Sequence, residues 1–220
     1  KTSMERTHRW AMESIKHHDK EQALYGIIQG GFFQDLRNES TKFIRDLEHE
    51  SNRFDGIAIG GSLGNTKKDM HQILDWIMPE LDDDNRPRHL LGIGWIDDIF
   101  ECVERGIDTF DCVHMTRTAR HGELYICSEN GGNKKNKFKI EIKKAKYNED
   151  FRKIDEKCNC HTCQNHTRAY LHHLYKINEF SYFRLATIHN VSFILDLMAQ
   201  IRGSIKNGTF QDLKERWLGN

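Results

Sequence analysis

The chain has 220 residues, of which 37% are hydrophobic and 30% charged, a balance typical of globular proteins. This length is enough for one sizeable domain or for one and a half small ones. No apolar run approaches the roughly 20 residues that span a bilayer, so the sequence predicts no membrane partner. The six cysteines, three of them clustered, do not form a secreted disulfide framework, and they predict a protein of the reducing cytoplasm. Lys1 lies directly within a helical pattern, and we therefore expect this chain to be part of a longer protein.

The chain has 33 basic and 33 acidic residues, so its net charge is zero and the chain as a whole is not a polycation. Their distribution is uneven, because residues 131–168 contain eleven Lys or Arg against five Asp or Glu. A local basic stripe is a weak indication of a phosphate-bearing partner. The alternative, a solvated Lys-rich loop, is the one that charge alone favours.

Short apolar runs alternate with amphipathic stretches through the first half of the chain, a pattern typical of an α/β protein. The apolar runs predict four strands, at 24–29, 56–60, 89–94 and 109–113. The stretches between them predict three helices, at 32–50, 67–81 and 96–105. This order implies parallel strands joined by right-handed crossovers. Because four strands cannot close a (β/α)8 barrel, the candidate folds are half a barrel and a small open doubly wound sheet.

The second half of the chain has a different pattern. Two predicted strands, at 123–127 and 138–142, flank a loop rich in Gly, Asn and Lys. Two predicted helices follow the cysteine-rich segment, at 167–177 and 190–206. The second of these helices ends at Asn207-Gly208, a typical helix stop.

Three of the six cysteines lie close together, in the spacing Cys158-x-Cys160-x-x-Cys163. His189 stands at the predicted start of the last long helix, and three thiolates with one imidazole form the closed set of a structural Zn²⁺ site. Three unconnected thiols, or one disulfide pair with a free thiol, are the alternatives. Spacing alone also leaves the histidine open, because four others compete with it: His161, His166, His172 and His173.

Unusual residues stand at the C-terminal ends of the predicted strands, where parallel α/β barrels gather their functional groups. Glycines recur there, at 30–31, 60–61, 92 and 94, and they let a flat ligand approach the backbone. Gln29 offers an amide suited to the edge of a base. Asp111 offers a carboxylate suited to attack at a sugar carbon. Ordinary βα turns, and a capping or salt-bridged aspartate, are the alternatives.

Two arginines, Arg117 and Arg120, follow Asp111 closely in the sequence. Guanidinium groups beside a candidate nucleophile suit a phosphate-bearing substrate. Surface salt bridges are the alternative role for both side chains.

Longer segments of the chain carry a family resemblance. They include Gln29-Gly30-Gly31 within 24–31, the segment 54–61, Phe110-Asp111-Cys112-Val113 within 105–113, the segment 116–122, and 158–189. In order and spacing these segments resemble the tRNA-guanine transglycosylases, or queuine tRNA-ribosyltransferases, of the bacterial type. The resemblance implies that residues 1–122 are the C-terminal half of a (β/α)8 TIM barrel. Residues 123–220 would then form a zinc-binding subdomain with the C-terminal helices.

The resemblance also implies an activity: exchange of guanine at the wobble position of tRNA for a 7-deazaguanine, in queuosine biosynthesis. Asp111 stands at the position of the family's nucleophile, which forms a covalent aspartyl-ribose intermediate. Base-binding positions are occupied by Gln29, Gly61 and Leu91. Positions that bind the anticodon loop are occupied by Thr116, Arg117 and Arg120, and those of the zinc ligands by Cys158, Cys160, Cys163 and His189.

The family's other catalytic carboxylates belong to the first half of the barrel, and their motifs are absent from this sequence. We therefore expect a fragment that is inactive alone, from a full-length protein that is a homodimer. A non-catalytic, zinc-stabilised partner subunit that binds tRNA is the alternative function, and the presence of Asp111 argues against it. An archaeal-type enzyme, which acts elsewhere in tRNA, is a further alternative. The short segment after Phe210, with no added RNA-binding domain, favours the bacterial type instead.

Overall fold

The structure is a computed structural model that describes residues 1–19 and 21–219. These residues form two compact units, Lys1–Cys112 and Val113–Asn220. The division into domains between residues 122 and 123 stays a prediction, because compactness does not by itself define a functional domain.

The first unit alternates helices and strands, as the sequence predicts. Its described helices are α1 (Thr2–Lys16), α2 (Gln34–Asp46), α3 (Lys67–Ile77) and α4 (Ile96–Glu104). Its described strands are β1 (Tyr25–Ile28), β2 (Glu48–His49), β3 (Asn52–Arg53), β4 (Gly56–Ile59), β5 (Arg88–Leu91) and β6 (Thr109–Asp111). A short 3-10 helix, Met78–Leu81, continues α3 to the end that the sequence predicts.

Four strands of this unit form one parallel sheet in the order β1-β4-β5-β6. Ile28 pairs with Ile59, Ile59 with Leu90, and Leu91 with Asp111. The four predicted strands therefore lie in the sheet in the same order as in the sequence, among the strands that the structure describes. The C-terminal ends of all four strands consequently lie along the same end of the sheet, which we call the sheet edge.

The two faces of this sheet have different surroundings. Ile28, Ile59 and Leu90 are fully buried in a core that they share with α1, α2 and α3. Because successive side chains alternate between the faces, His89 and Asp111 belong to the opposite face, where they are partly or fully exposed. The helices whose residues enter this core thus cover one face of the sheet.

The predicted helix at 32–50 is too long, because its periodicity hides a turn. Helix α2 ends at Asp46, and Leu47 is extended. Strands β2 and β3 then pair as a small antiparallel hairpin around Glu50 and Ser51, which have φ of 49° and 66°. Such left-handed backbone is uncommon for residues other than glycine, so the sequence gives no strong sign of it.

Helix α3 shows why the predicted helical bounds hold elsewhere. The hydroxyl of Thr66 accepts from the Asp69 amide, and the Asp69 carboxylate accepts from the Thr66 amide, which is a capping box. Ile73, Leu74 and Ile77 recur at helical spacing and are fully buried. Local capping and amphipathic periodicity therefore agree at this helix.

The second unit consists of helices around a short antiparallel hairpin. The hairpin strands are β7 (Glu123–Tyr125) and β8 (Lys139–Glu141), with Leu124 opposite Ile140. The described helices are α5 (His114–Arg120), α6 (His161–Asn165), α7 (Arg168–Lys176), α8 (Phe180–Lys206) and α9 (Phe210–Leu218). Across the part of the chain that the structure describes, no helix is both long and apolar enough to cross a membrane.

The predicted start of the last long helix at Asn190 is wrong, because α8 begins ten residues earlier, at Phe180. Asn190 does not cap a helix. It is fully buried, accepts from the Tyr125 amide at 3.1 Å, and donates to the carbonyls of Met115 and Glu123. Its amide thus joins α8 to α5 and β7, and His189 lies in the interior of the helix.

Candidate active site and candidate metal centre

The sheet edge brings together the residues that the sequence singles out in the first unit. Gln29 directly follows β1, Gly60 and Gly61 follow β4, and Leu91 and Asp111 end β5 and β6. These positions are neighbours because the four strands are parallel and in register. The edge therefore combines an amide, glycine backbone, an apolar side chain and a carboxylate.

Gly61 lies directly against the Gln29 side chain. A Cβ atom at Gly61 would stand 2.3 Å from Gln29 Oε1, and the φ of Gly61 is 76°. The left-handed backbone favours glycine, and a side chain at this position would displace the Gln29 amide. On the next strand, the 37%-exposed Leu91 provides apolar surface, and its Cδ1 would lie 3.5 Å from a Cβ atom at Gly60. A flat group with a polar edge fits such an arrangement.

Arg37, which sequence reasoning does not select as a site residue, holds two turns of this edge together. Its guanidinium is fully buried and donates to the carbonyls of Gly31, Gly60 and Ser62 at 2.8 to 2.9 Å. Burial lowers the pKa of Arg37 to about 10. The side chain reaches from the end of β1 to the end of β4, so it links the backbone after Gln29 with the backbone on both sides of Gly61.

Asp111 is exposed rather than buried, with 63% of its side chain accessible. Its Oδ1 accepts from the Gly92 amide at 3.1 Å and faces His89 Nε2 at 3.2 Å. No Lys or Arg pairs with it among the described residues, and it ends a strand rather than beginning a helix. The alternatives of a capping or a buried salt-bridged aspartate therefore do not describe it. Sequence reasoning missed His89, a half-buried polar residue that stands between Arg88 and Leu90 in β5.

The three predicted RNA-binding residues lie on α5 of the second unit. Arg117 and Arg120 are both exposed and three residues apart, so they share one side of the helix. Neither forms an ion pair with any residue that the structure describes, so the salt-bridge alternative has no support. The Thr116 hydroxyl donates to the Val113 carbonyl at 3.1 Å.

The four predicted metal ligands meet in the second unit. One potential ligand atom from each of Cys158, Cys160, Cys163 and His189 lies within 4.8 Å of the others. His189 Nδ1 is 3.3 Å from Cys163 Sγ and 3.7 Å from Cys160 Sγ. Hydrogen bonds with Cys158 and Cys163 lower the pKa of the Cys160 thiol. All six cysteines are free, so the disulfide alternative is wrong.

His189 is oriented for coordination from within its helix. It is fully buried, and its Nε2 stands 2.7 Å from the Tyr125 carbonyl, which can only accept. The proton is therefore on Nε2, and the lone pair of Nδ1 faces the thiols. The prediction that the histidine ligand stands at the start of a helix is wrong, because His189 lies in the interior of α8. His161 and His166 instead contact each other outside the cluster. The donor set thus fits a metal ion.

These features define a class: an α/β protein with a carboxylate, an amide and an exposed apolar side chain at the C-terminal ends of its strands, and with a second unit that contains a Cys3His metal-binding set. Comparison with known proteins gives the family. The family model described as queuine tRNA-ribosyltransferase matches residues 1–220. The chain belongs to the queuine tRNA-ribosyltransferase family.

Individual relatives agree with this membership. The chain is 41% identical over 230 residues to a queuine tRNA-ribosyltransferase of Roseiflexus sp. and 44% identical over 221 residues to one of Macrococcus caseolyticus. A protein of Archaeoglobus fulgidus, which carries the same name provisionally, is 52% identical over 217 residues. Each match covers 99% of this chain but only 52% to 55% of the relative. The chain therefore spans about half the length of these relatives.

Proposed function

We propose that the protein containing this chain is a tRNA-guanine transglycosylase of the cytoplasm, which replaces guanine at the wobble position of tRNA with a 7-deazaguanine in queuosine biosynthesis. The observation that carries this proposal is the exposed Asp111 carboxylate at the same end of the parallel sheet as Gln29 and Gly61, in a chain of this family. Relatives named for the same activity support it.

The proposed reaction is a double displacement at the ribose C1′. The Asp111 carboxylate forms a bond to C1′ while the bond from C1′ to guanine breaks, and guanine leaves with the electron pair and takes a proton from water. A nitrogen of the incoming base then forms the new bond and gives up its proton to water. The carboxylate leaves with its electron pair. Two inversions give net retention.

The base-binding role proposed for Gln29, Gly61 and Leu91 follows from their contact surfaces. The Gln29 amide can donate to and accept from the edge of a purine-like base. Gly61 leaves its backbone accessible to the base, and the Leu91 side chain would pack against the flat face of the base. Since the base must be read outside the stack, the target nucleotide has to be extruded from the anticodon loop.

We infer that the four-stranded sheet is the C-terminal half of a (β/α)8 TIM barrel. Helices on one face of the sheet and the sequential strand order β1-β4-β5-β6 support this interpretation. A doubly wound sheet has helices on both faces. The face that carries His89 and Asp111 would be the interior of the barrel.

We propose that the Cys3His set holds one structural Zn²⁺ in a zinc-binding subdomain at 123–220. Three thiolates and one imidazole satisfy tetrahedral coordination, which leaves no position for water. Zinc at this place would cross-link the cysteine segment, α8 and, through His189, the Tyr125 carbonyl. Its role would therefore be to stabilise structure.

The proposed partners are the anticodon loop of tRNA and a second copy of the full-length protein. Thr116, Arg117 and Arg120 would bind the RNA, and the two exposed guanidinium groups suit phosphates. The proposed homodimer follows from the family alone.

The direct test of this function is incorporation of labelled guanine into tRNA by a full-length protein that contains this chain. We expect exchange with the wild type and with Asp108→Asn, a matched control three residues before Asp111 whose amide can still accept from Arg88. We expect no exchange with Asp111→Asn. A wild type that exchanges no base, or an Asp111→Asn variant that does, would refute the proposal.

A further inference from the structure

The two oxygens of Asp111 have different surroundings. Oδ1 faces two donors, the Gly92 amide at 3.1 Å and His89 Nε2 at 3.2 Å. Oδ2 has no hydrogen-bond partner among the residues described by the structure. One oxygen of the carboxylate is thus fixed, and the other is free to react.

His89 is itself held in one orientation. Its Nδ1 lies 2.9 Å from the Thr109 hydroxyl, and the Tyr25 ring meets it edge-on with centroids 6.4 Å apart. A carboxylate can only accept, so Nε2 carries a proton toward Asp111. The Thr109 hydroxyl is the hydrogen-bond partner of the other ring nitrogen, Nδ1. Thr109, His89 and Asp111 form a chain of hydrogen bonds across β6 and β5.

Packing does little to fix Asp111, since most of its side chain is exposed, whereas only 24% of the His89 side chain is accessible. A carboxylate that rotates freely must lose that freedom on the way to the transition state. The less exposed histidine can restrict this rotation in advance. The Gly92 amide alone would leave the carboxylate free to pivot about a single hydrogen bond.

We propose that His89 is a positioning residue that holds Oδ1 of Asp111, so that Oδ2 is the oxygen that attacks C1′. This inference rests on the proposed function. When the bond from Oδ2 to C1′ forms, Oδ1 becomes the carbonyl oxygen of the ester and keeps both donors. When that bond breaks, its electron pair returns to the carboxylate, which the same donors stabilise.

The test is the single-turnover rate of adduct formation between Asp111 and tRNA at saturating tRNA, in a full-length protein that contains this chain. His89→Leu should lower this rate by about 100-fold, because the nucleophile loses its orientation. Its affinity for tRNA should not change. His89→Gln should recover much of the rate, because the amide can donate to Oδ1. His17→Leu, at an exposed position in the same unit, is the matched control and should behave as wild type.

Selective ¹⁵N labelling of histidine provides a readout that is independent of turnover. His89 should show a protonated Nε2, and Asp111→Asn should shift its Nε2 signal. A wild-type rate for His89→Leu, an equal loss in His89→Gln and His89→Leu, or a protonated Nδ1 with a bare Nε2 would each overturn the proposal. A wild type that forms no adduct would refute the proposed function, whereas the ¹⁵N signals would still report the contact.

Discussion

Single buried or half-buried polar side chains organise both candidate sites. Arg37 ties together the turns that carry Gln29 and Gly61, and Asn190 ties α8 to β7. Each donates to or accepts from at least one buried backbone group, the Gly60 carbonyl for Arg37 and the Tyr125 amide for Asn190, and a buried group that loses its partner is costly. Removing such a side chain should therefore affect stability more than its size suggests.

Arg37→Met tests this role in the first unit. The substitution keeps an unbranched apolar side chain but leaves the carbonyls of Gly31, Gly60 and Ser62 without their donor. We expect the free energy of unfolding to fall by roughly 2–4 kcal/mol in urea titrations followed by circular dichroism. Arg9→Met, at an exposed position on α1, should change it by less than about 0.5 kcal/mol. Equal effects of the two substitutions would contradict the structural role of Arg37.

Arg117 and Arg120 provide the corresponding test for RNA. In a full-length protein, changing either to Ala should weaken tRNA binding by about 1–3 kcal/mol and reduce its salt dependence, since each would lose a charge-assisted contact. Arg202→Ala, which removes another exposed arginine of the same unit, should leave the affinity near that of the wild type. Affinities that are unchanged across a salt titration would exclude both arginines from the RNA interface.

At the scale of the elements, local signals predict most of the first unit. Alternating apolar runs place β1, β4, β5 and β6, and the rule that parallel strands share an edge brings Gln29, Gly61, Leu91 and Asp111 together. The start of α8 could not be found in this way. Asn190 has the residue type of a helix cap, and its actual role depends on partners 65 to 75 residues away in sequence. The bonds from Arg37 to the Gly60 and Ser62 carbonyls, and the contact between His89 and Asp111, could not be predicted either, because their partners are also distant in sequence.

The Cys3His set predicts that bound zinc stabilises the contacts between the cysteine segment and α8. Metal analysis of the purified chain should find about one Zn²⁺ per chain, and chelation should unfold the cysteine segment and its contacts with α8. His189→Ala should lower the zinc content more than His161→Ala or His166→Ala, because only His189 is part of the ligand cluster. Well-folded protein without zinc would contradict this prediction, as would equal losses in the three variants.

A buried ion pair at the start of α7 predicts a pH dependence of stability. Hydrogen bonds from Arg152 and Arg168 hold the pKa of Asp150 well below its usual value. The resulting stability is fully present above the unfolded pKa of about 3.9, and it is lost as the pH falls through the lower pKa of the folded state. Asp150→Asn should therefore lower the free energy of unfolding by about 2 kcal/mol at pH 7.

The difference between the wild type and Asp150→Asn should shrink progressively below pH 4 in chemical denaturation. Glu149→Gln is the matched control, since this exposed neighbour forms no ion pair among the described residues, and its effect should be near zero at every pH. A difference for Asp150→Asn that stays constant as the pH falls would show that the ion pair does not supply the stability.

At the scale of the whole molecule, the sheet of the first unit has an exposed face and open lateral edges among the residues that the structure describes. One face carries the exposed or half-exposed Tyr25, His89, Leu91 and Asp111, and β1 and β6 each have one unpaired edge among the described strands. Unpaired edges and exposed apolar surface favour association. We predict that residues 1–220 alone self-associate in analytical ultracentrifugation and exchange no labelled guanine. A monomeric chain that turns over tRNA would contradict this.

The central claim is that Asp111 becomes covalently bonded to tRNA. The most direct measurement is a denaturing gel of a full-length protein incubated with tRNA, followed by mass spectrometry of the adducted peptide. We predict an adduct for the wild type and for Asp108→Asn, with the ribose attached to Asp111. We predict no adduct for Asp111→Asn, although this variant still binds tRNA with nearly the wild-type affinity. An adduct in the Asp111→Asn variant, or one that maps to another residue in the wild type, would contradict the account.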